Sequence, residues 1–336
     1  MSKKILLVGG AGYIGSVLTE KFLKKNYKVK CLDALIYSQR YCIKPFLKKK
    51  NYEFIFKDIR NCAQVKNLFK EITDVVILSG LVGDPITKKY PKESKEINYL
   101  ALKNFIKKCN GKKLAKIIFV STCSNYGLIN NNDIADENYN LNPLSNYAKY
   151  KVEIENYIMS LNGQVDYSPT ILRFATAFGI SPRMRFDLTV NEFTREMYLK
   201  NEILIYDANS WRPYCHLNDF ADLIDKVLLS KKKETNFQIF NAGSDKNNST
   251  KLNIIKNLKK YFPKAKVSFD NKGSDLRNYR VNFSKVKIVL GFETTYTIDD
   301  GIREIVEVLK MGKFKSVDQY SDNLGNYKIN EEFFAQ

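Results

Sequence analysis

The chain has 336 residues, of which 44% are hydrophobic, and it carries 55 Lys and Arg against 36 Asp and Glu. This composition supports a globular core in one large or two ordinary domains and argues against a disordered chain. The single histidine, His216, argues against a histidine-rich metal site, and the six cysteines include no Cys-x-x-Cys pair. We therefore predict no metal site.

The formal net charge of +19 at pH 7 first suggests a nucleic-acid partner. However, the lysines are spread along the whole chain among acidic residues, and their runs are short, such as 48–50 and 231–233. No arginine-rich helix or aromatic RNA-binding signature accompanies them, so we expect no nucleic-acid partner. No apolar stretch approaches the length of a membrane span, and no cleavage-like site follows the first apolar run. We therefore predict a cytoplasmic protein without a membrane partner.

Short apolar runs alternate with amphipathic segments in the first half of the chain. Predicted helices include residues 13–26, 61–71 and 92–109. Predicted strands are residues 4–10, 27–33, 52–58, 74–80 and 116–122, and a sixth at 167–174. Apolar strands separated by helices build βαβ units, in which helices cover both faces of a parallel sheet. The sequence therefore predicts an α/β fold, a Rossmann-type doubly wound parallel sheet.

A glycine-rich turn joins the first predicted strand to the first helix. Gly10, Gly12 and Gly15 fit G-x-G-x-x-G, and Gly9, Gly12 and Gly15 fit G-x-x-G-x-x-G. Glycine at these positions allows a tight turn, close approach to a pyrophosphate, and close helix–strand packing. The pyrophosphate then lies at a helix N-terminus, which favours negative charge. Because the turn follows a strand within a βαβ unit, we predict a dinucleotide site.

Two acids end the second and third predicted strands. Asp33 lies eighteen residues beyond Gly15, where an acid accepts hydrogen bonds from the ribose hydroxyls and repels a 2′-phosphate. We therefore predict NAD rather than NADP as the cofactor. Asp58 is placed either to reach the adenine or to cap the next helix.

After about residue 180 the pattern becomes mixed, which predicts a smaller C-terminal α/β substrate domain. Its predicted elements are helices near 187–200, 217–230, 250–261 and 298–311 and strands at 202–207 and 236–243, the last of which returns to the main sheet. We assign residues 1–180 to an NAD-binding Rossmann domain, with a returning segment near 214–243. Residues 181–336 are assigned mainly to substrate binding.

The stretch LSNYAKYK, residues 144–151, combines two tyrosines with two lysines at a helix start. Residues four apart share a helix face, so Tyr147 lies beside Lys151, whereas Tyr150 lies on another face. Such a pair occurs by chance in many helices. Thr122, however, ends the fifth strand, at the edge where open α/β sheets bind their ligands.

With these residues the sequence resembles the extended short-chain dehydrogenase/reductase family, and within it the NAD-dependent nucleotide-sugar epimerases and dehydratases. The match runs essentially end to end. The motifs that carry it are the glycine loop, Asp33, KDIRN (57–61), LSGLVGDP (78–85), the Thr before NYG, the Tyr-x-x-x-Lys pair, LRFATAFG (172–179), WRPYCHLND (211–219) and FNAG (240–243). LSGLVGDP replaces the Leu-Ala-Ala run that is usual in the family.

The resemblance implies that Tyr147 is the catalytic base, with Thr122 holding the same sugar hydroxyl and Lys151 gripping the nicotinamide ribose. A free tyrosine, with a pKa of about 10, is a poor base at neutral pH, and a neighbouring ammonium favours its phenolate. Tyr150 is a bystander. The cofactor-binding residues implied are Gly9, Gly12, Tyr13, Ile14, Gly15, Asp33, Asp58, Ile59, Leu78, Ser79, Gly80, Tyr147, Lys151 and Phe174.

The implied partner is a nucleotide-diphosphate sugar, because arginine binds phosphate with two parallel hydrogen bonds. Candidate substrate residues are Thr122, Asn191, Arg183, Arg185, Arg212, Arg277 and Arg280. By family likeness Asn191, Arg212 and Arg277 are the best choices. His216 is expected to stabilise its segment rather than to perform catalysis.

The residues after Thr122 bear on the reaction. The family's 4,6-dehydratases carry an Asp-Glu pair there, but this chain has Cys123 and Ser124, neither of which readily supplies an acid. We therefore predict a 4-epimerase, with net C4 oxidation or reduction, or epimerisation of a keto-sugar, as the alternatives. The run from residue 179 to 193 also resembles that of bacterial GDP-heptose 4-dehydrogenases. A third reading, a non-catalytic NAD(H)-binding regulator, is disfavoured by the intact Thr122, Tyr147 and Lys151.

The helices near 92–109 and 143–160 resemble the pair that related enzymes use in a four-helix dimer interface. We therefore predict a homodimer. The candidate apolar contacts are Leu102, Phe105, Ile106, Ile154 and Ile158, some of which must face the chain's own sheet.

Overall fold

The computed structural model describes residues 3–130, 133–270, 277–314, 324–330 and Phe333. Its strands are β1 (Lys4–Val8), β2 (Lys28–Asp33), β3 (Tyr52–Phe56), β4 (Asp74–Ile77), β5 (Lys116–Thr122), β6 (Ser168–Phe174), β7 (Thr176–Phe178), β8 (Glu202–Tyr206), β9 (Trp211–His216), β10 (Gln238–Ala242), β11 (Asn248–Thr250) and β12 (Lys266–Asp270). All six strands predicted for the first half are present as β1 to β6.

The main sheet has seven strands in the order β10-β6-β5-β4-β1-β2-β3, and all its neighbouring pairs are parallel. Every residue of β4, β5 and β6 is buried, which explains their continuous apolar sequence. The strand order reverses between β1 and β4, and ligands of open α/β sheets bind at the carboxyl ends of the strands at such a point. The predicted Rossmann fold is confirmed, and residues 236–243 do return to the sheet as β10.

Helices cover both faces of this sheet and build the smaller C-terminal part. They are α1 (Tyr13–Lys24), α2 (Asp84–Lys89), α3 (Pro91–Lys95), α4 (Leu102–Cys109), α5 (Asn146–Ser160), α6 (Thr189–Lys200), α7 (Leu217–Leu229), α8 (Lys232–Thr235), α9 (Lys251–Tyr261), α10 (Ser284–Leu290) and α11 (Ile298–Lys310). Separate buried clusters of apolar residues lie on the two faces of the sheet. Within the described ranges, no helix is long and apolar enough to cross a membrane.

The C-terminal part has its own small sheets and its own core. Strands β8 and β12 pair in parallel, and β9 lies between β7 and β11. Helices α6, α9 and α11 pack around a third apolar cluster that includes Phe193, Ile254 and Ile302. This part contributes the wall that faces the carboxyl edge of the main sheet.

Two predicted helices differ from the structure. No α-helix covers 61–71, because a short 3-10 helix, Ile59–Gln64, is followed by turns with positive φ at Asn67 and Glu71. The helix predicted at 92–109 is present, but a π-helical stretch at Glu96–Ala101 separates α3 from α4.

The five apolar residues proposed for the dimer contact are all buried within this single chain. Leu102, Phe105, Ile106, Ile154 and Ile158 belong to the cluster on one face of the sheet. They stabilise the protomer and are not exposed to a partner, so the prediction of these residues as surface contacts is wrong. The helical spacing was read correctly, but spacing alone does not show which side of a helix meets the sheet.

Candidate active site

The glycine loop connects β1 to α1 at the point where the strand order reverses. Gly9 has a φ of +87°, and a Cβ atom there would lie 2.6 Å from the backbone nitrogen of Ser79, two residues after the end of β4. A Cβ atom on Gly15 would lie 2.6 Å from the Cα of Gly10. Only glycine allows this turn and this close packing of helix against strand. The N-terminus of α1 therefore opens toward the carboxyl ends of β1 and β4.

Asp33 ends β2 behind this loop. Its carboxylate accepts hydrogen bonds from the backbone nitrogens of Ala11 at 2.9 Å and Leu35 at 2.8 Å. Burial raises the pKa of Asp33, while these two donors lower it. Asp58 accepts from the backbone of Arg60 at 2.7 Å, and its carboxylate pairs with the Arg60 side chain at 3.0 Å. Asp58 therefore caps the 3-10 helix Ile59–Gln64, which is one of its two predicted roles. It also lines the cavity described next.

A cavity of about 380 Å³ runs along the carboxyl edge of the sheet. All fourteen residues predicted to bind the cofactor lie on its wall, and so do Thr122, Arg183, Arg185, Arg212 and Arg277. Ser79 Oγ, on the same wall, is buried and has no hydrogen-bond partner among the described residues. The glycine loop, the buried acid after β2 and this unpaired hydroxyl fit a dinucleotide that lies across the switch point.

The Tyr–Lys pair lies at the start of α5. The hydroxyl of Ser145 caps this helix by accepting from the backbone of Ala148 at 3.3 Å. Lys151 Nζ donates to the carbonyl of Val120 at 2.7 Å and lies 5.9 Å from the centre of the Tyr147 ring. The predicted pair is therefore together on the cavity wall, whereas Tyr150 stacks on Tyr99 with ring centres 6.5 Å apart.

The electrostatic surroundings of Tyr147 favour its protonated form. Burial raises the pKa of Tyr147 to about 12; the guanidinium of Arg185 and a hydrogen bond shared with Thr122 lower it, and the Asp84 carboxylate raises it. Burial lowers the pKa of Lys151 to about 8, and the carboxylate of Glu155 opposes that shift. Added positive charge is therefore needed before Tyr147 can act as a base at neutral pH. Sequence reasoning missed the contribution of Arg185.

Two Arg–carboxylate pairs lie on the cavity wall, and one member of each, Arg185 and Asp84, acts electrostatically on Tyr147. Arg185 binds Asp187 through two hydrogen bonds, of 3.1 and 2.6 Å. Arg277 Nη2 lies 3.4 Å from Asp84 Oδ2. The two acids were not predicted as site residues. A signal for Asp84 did exist, since it lies in LSGLVGDP, the segment that departs from the family's usual pattern.

The other predicted arginines occupy different places. Arg212 donates to the carbonyls of Trp211, at 2.8 Å, and of Arg277, and so holds the Arg277 backbone in place. Arg183 is buried toward the Asp33 end of the cavity, with its guanidinium 4.5 Å from the centre of the Tyr37 ring. It therefore lies beside Asp33, and its predicted contact with the substrate stays a prediction.

Asn191 and Arg280 do not line the cavity. The fully buried Asn191 side chain donates to the hydroxyl of Tyr13 at 2.8 Å and to the carbonyl of Arg185 at 2.9 Å. It thus holds two cavity residues in position from behind. The Arg280 guanidinium lies 5.5 Å from the centre of the Trp211 ring.

His216 caps α7 through its ring nitrogen. The side chain accepts from the backbone nitrogen of Asn218 at 3.2 Å, and its other ring nitrogen lies 2.8 Å from a carboxylate oxygen of Glu304. His216 is not on the cavity wall. The residue thus fixes its own segment against α11, as the sequence predicted.

Basic side chains outnumber acidic ones among the described residues of the wall. The seven basic and four acidic residues are Lys57, Lys151, Arg183, Arg185, Arg212, Lys251 and Arg277, and Asp33, Asp58, Asp84 and Asp187. This surplus of three positive charges favours ligands that carry phosphate groups.

Residues 324–330, which we name the C-terminal strap, cross the dinucleotide side of the cavity. The strap is tied to three parts of the chain: Asn326 Nδ2 donates to the carbonyl of Val82 at 2.8 Å, the Asn330 backbone donates to that of Ile36 at 2.8 Å, and Arg183 donates to the carbonyl of Gly325 at 2.8 Å. Its side chains contribute to the wall. Nothing in the sequence signalled this contribution, because it depends on contacts between distant segments.

A Rossmann sheet with this loop, this acid and this Tyr–Lys pair defines a dinucleotide-dependent enzyme of the short-chain dehydrogenase/reductase type. Residues 5–243 match the model of the NAD dependent epimerase/dehydratase family. The chain belongs to this family of NAD-dependent enzymes.

Similar proteins include epimerases and dehydratases of nucleotide sugars. A putative UDP-glucose 4-epimerase of Methanocaldococcus jannaschii is 28% identical over 312 residues, which cover 91% of this chain and 98% of that protein. A dTDP-D-glucose 4,6-dehydratase of Dictyostelium discoideum is 29% identical over 72% of this chain and 58% of its own length.

Solved structures share the fold. The UDP-glucuronic acid 4-epimerase of Bacillus cereus, in complex with UDP-glucuronic acid and NAD, superposes with a TM-score of 0.81 at 24% identity, over 92% of this chain and 99% of that chain. The UDP-glucose 4-epimerase of Thermotoga maritima, with UDP-glucose, gives a TM-score of 0.82 at 23% identity, over 92% and 99%. At these identities the likeness shows a common fold.

Proposed function

We propose that this protein is a cytoplasmic, NAD-dependent 4-epimerase of a nucleotide-diphosphate sugar. The observation that carries the proposal is the corner formed by Thr122, Tyr147 and Lys151, which opens into the same cavity as the glycine loop. The six cysteines are all free and buried, which fits a reducing compartment and can be checked by cell fractionation.

The chemistry assigned to this corner is proton transfer at the C4 hydroxyl of the sugar. Tyr147 takes the proton from this hydroxyl, and Thr122, which shares a hydrogen bond with Tyr147, holds it in line. NAD, when bound, supplies a reversible hydride acceptor for the sugar carbon. Gly9, Gly12, Gly15 and Asp33 would hold its pyrophosphate and adenosine ribose. The hydrogen bond from Lys151 to the Val120 carbonyl holds its ammonium beside the ring of Tyr147, and the Glu155 carboxylate favours the charged form of Lys151.

The residues after Thr122 favour this reaction over dehydration. Cys123 is fully buried, and its thiol donates to the carbonyl of Arg173 at 3.0 Å, away from the cavity. Burial raises the pKa of that thiol, so it does not supply acid to a sugar. Ser124 faces the cavity but has an ordinary hydroxyl. Neither residue replaces the acid pair of a 4,6-dehydratase.

The alternative is a net C4 dehydrogenase or ketoreductase, for example of GDP-heptose, and the run from residue 179 to 193 favours it. The C-terminal strap favours the epimerase instead. It closes the dinucleotide side of the cavity by joining Val82, Ile36 and Arg183, and an epimerase does not need to exchange its cofactor in each turnover. A dehydrogenase must discharge its reduced cofactor every time.

We divide the two tasks along the chain. Residues 1–180, with the returning segment near 214–243, hold NAD, and residues 181–336 mainly hold the substrate. The position of β10 in the main sheet supports this division, as do Arg212 and Arg277 at the far end of the cavity. The location of Arg183 on the dinucleotide side is an exception that lies close to the boundary.

The test is a screen of nucleotide sugars with the NAD-loaded protein, guided by mass spectrometry of whatever nucleotide sugar co-purifies with it. We expect a 4-epimer to form without a lasting rise in the absorbance of reduced nicotinamide. A stoichiometric rise with a 4-keto product and no epimer would favour the dehydrogenase. Formation of a 4-keto-6-deoxy product would instead show dehydration and contradict both readings.

We also propose a homodimer, formed through the face that carries Leu100 and the stacked rings of Tyr99 and Tyr150. Leu100 is 44% exposed on this face, which is formed by the π-helical stretch and α5. Sedimentation velocity at micromolar concentration should show a dimer, and Leu100→Asp should weaken it because the charge would be buried. Leu229→Asp, at an exposed position on α7, is the matched control. A monomer in the unmodified protein would contradict the proposal.

A further inference from the structure

A carboxylate with one unused oxygen lies beside the proposed base. Asp84, the first residue of α2, lines the cavity together with Tyr147 and Thr122. Its Oδ1 atom is buried and has no hydrogen-bond partner among the described residues, while Oδ2 lies 3.4 Å from Arg277 Nη2. A buried carboxylate oxygen without a donor is costly, so a ligand that donates a hydrogen bond to it is favoured.

The surroundings of Asp84 locate it at the sugar end. Arg277 Nη1 lies 3.5 Å from Ser124 Oγ, and the backbone nitrogen of Ser124 donates to Thr122 Oγ1 at 3.1 Å. Asp84, Arg277 and Ser124 therefore form a row that ends at the proposed catalytic threonine. Given the proposed function, a sugar that presents its C4 hydroxyl to Thr122 and Tyr147 lies against this row.

Of the three arginines near the sugar end, two are already paired with carboxylates, and the third, Arg212, donates to the backbone carbonyls of Trp211 and Arg277. Arg185 is bound by Asp187 through two hydrogen bonds, and Arg277 is paired with Asp84. A negatively charged sugar would therefore lie against the carboxylates of Asp84 and Asp187, and it would gain an ion pair with Arg277 or Arg185 only by breaking an existing one. Like charges placed together in an interface select strongly against a ligand.

The net charge of the cavity wall also disfavours a negatively charged sugar. Its described wall has a surplus of three positive charges. An oxidised dinucleotide and a nucleoside-diphosphate sugar together carry about three negative charges at neutral pH when the sugar itself is uncharged. The carboxylate of a uronic acid would add one more negative charge with no counterpart on the wall.

We propose that Asp84 makes the sugar end selective for an uncharged, hydroxyl-bearing sugar and against uronic acids. Asp84 Oδ1 accepts a hydrogen bond from a sugar hydroxyl, and its charge repels a sugar carboxylate. This proposal rests on the proposed function, because it requires a nucleotide sugar in the cavity. It separates this protein from the structurally similar epimerase whose complex contains UDP-glucuronic acid.

Calorimetry with the NAD-loaded protein tests the proposal with sugar pairs that differ only in the carboxylate. The probes are UDP-glucose with UDP-glucuronic acid, and GDP-mannose with GDP-mannuronic acid. In each pair whose nucleoside is accepted, we expect the uncharged member to bind at least about tenfold more tightly. In Asp84→Asn this ratio should fall about tenfold. Asp222→Asn, which removes a surface carboxylate paired with Lys21, should leave the ratio unchanged.

The outcomes separate this inference from the proposed function. If a uronic acid binds as tightly as its uncharged partner, or if Asp84→Asn leaves the ratio unchanged, the role of Asp84 is wrong while the nucleotide-sugar site stands. If neither these pairs nor any nucleotide sugar of the screen described above binds, the proposed function fails and the inference fails with it. The comparison of charged and uncharged sugars with the unmodified protein tests the selectivity even if the Asp84→Asn variant folds poorly.

Discussion

Replacing Tyr147 by phenylalanine is expected to lower turnover by about 10²–10⁴-fold, the usual contribution of a general base. The change removes only the hydroxyl that shares a hydrogen bond with Thr122, and the ring beside Lys151 remains. NAD affinity should therefore change little. The measurement is the rate of 4-epimer formation at saturating nucleotide sugar, together with calorimetry of NAD binding.

Tyr150→Phe is the matched control, because it removes a tyrosine hydroxyl from the same helix. The Tyr150 ring stacks on Tyr99, and Tyr150 is absent from the cavity wall. This variant should keep nearly full activity. Because burial raises the pKa of Tyr147 to about 12, the activity of the unmodified protein should increase with pH wherever loss of that proton limits the rate. Full activity in Tyr147→Phe would show that the assignment of the base is wrong.

Glu155→Gln is expected to destabilise the fold by about 3–5 kcal/mol, because it leaves a buried guanidinium without its counter-charge. Glu155 and Arg173 are 1% and 4% exposed, and Arg173 Nη2 donates to the Glu155 carboxylate at 2.7 Å. The same carboxylate accepts from Ser121 and from Asn125. Urea unfolding followed by circular dichroism measures the loss.

A surface ion pair provides the control for this variant. Lys24 and Glu20 are paired at 2.6 Å, one helical turn apart on α1, and both are largely exposed. Glu20→Gln should change the stability by about 0.5 kcal/mol or less. An unfolding midpoint for Glu155→Gln that matches that of Glu20→Gln would contradict the buried-pair argument.

Since Glu155 raises the pKa of Lys151, Glu155→Gln should also lower that pKa below about 8.

Much of the fold could be predicted because local patterns and long-range packing agree. The strands of the main sheet are continuous apolar runs since both of their faces are buried, and this pattern is visible without any tertiary contact. The failure at 61–71 has the opposite cause. That segment has a helical composition, yet its chain turns at Asn67 and Glu71 to return to β4. Local propensity cannot reveal such a turn.

The candidate site divides in the same way. The sequence by itself determined the glycine loop and the Tyr147–Lys151 pair, which depend on spacing within one turn or one helix, and Asp33, which ends a strand that its apolar pattern identifies. Only the tertiary structure decided the other features of the site. These are the Asp84–Arg277 and Arg185–Asp187 pairs, the position of Asn191 behind the cavity wall, and the contacts of the C-terminal strap. Except for Arg185–Asp187, these contacts join residues that are far apart in the chain. Whether these residues meet depends on how the C-terminal part folds over the edge of the sheet. No periodicity in the sequence shows which distant residues this folding brings together.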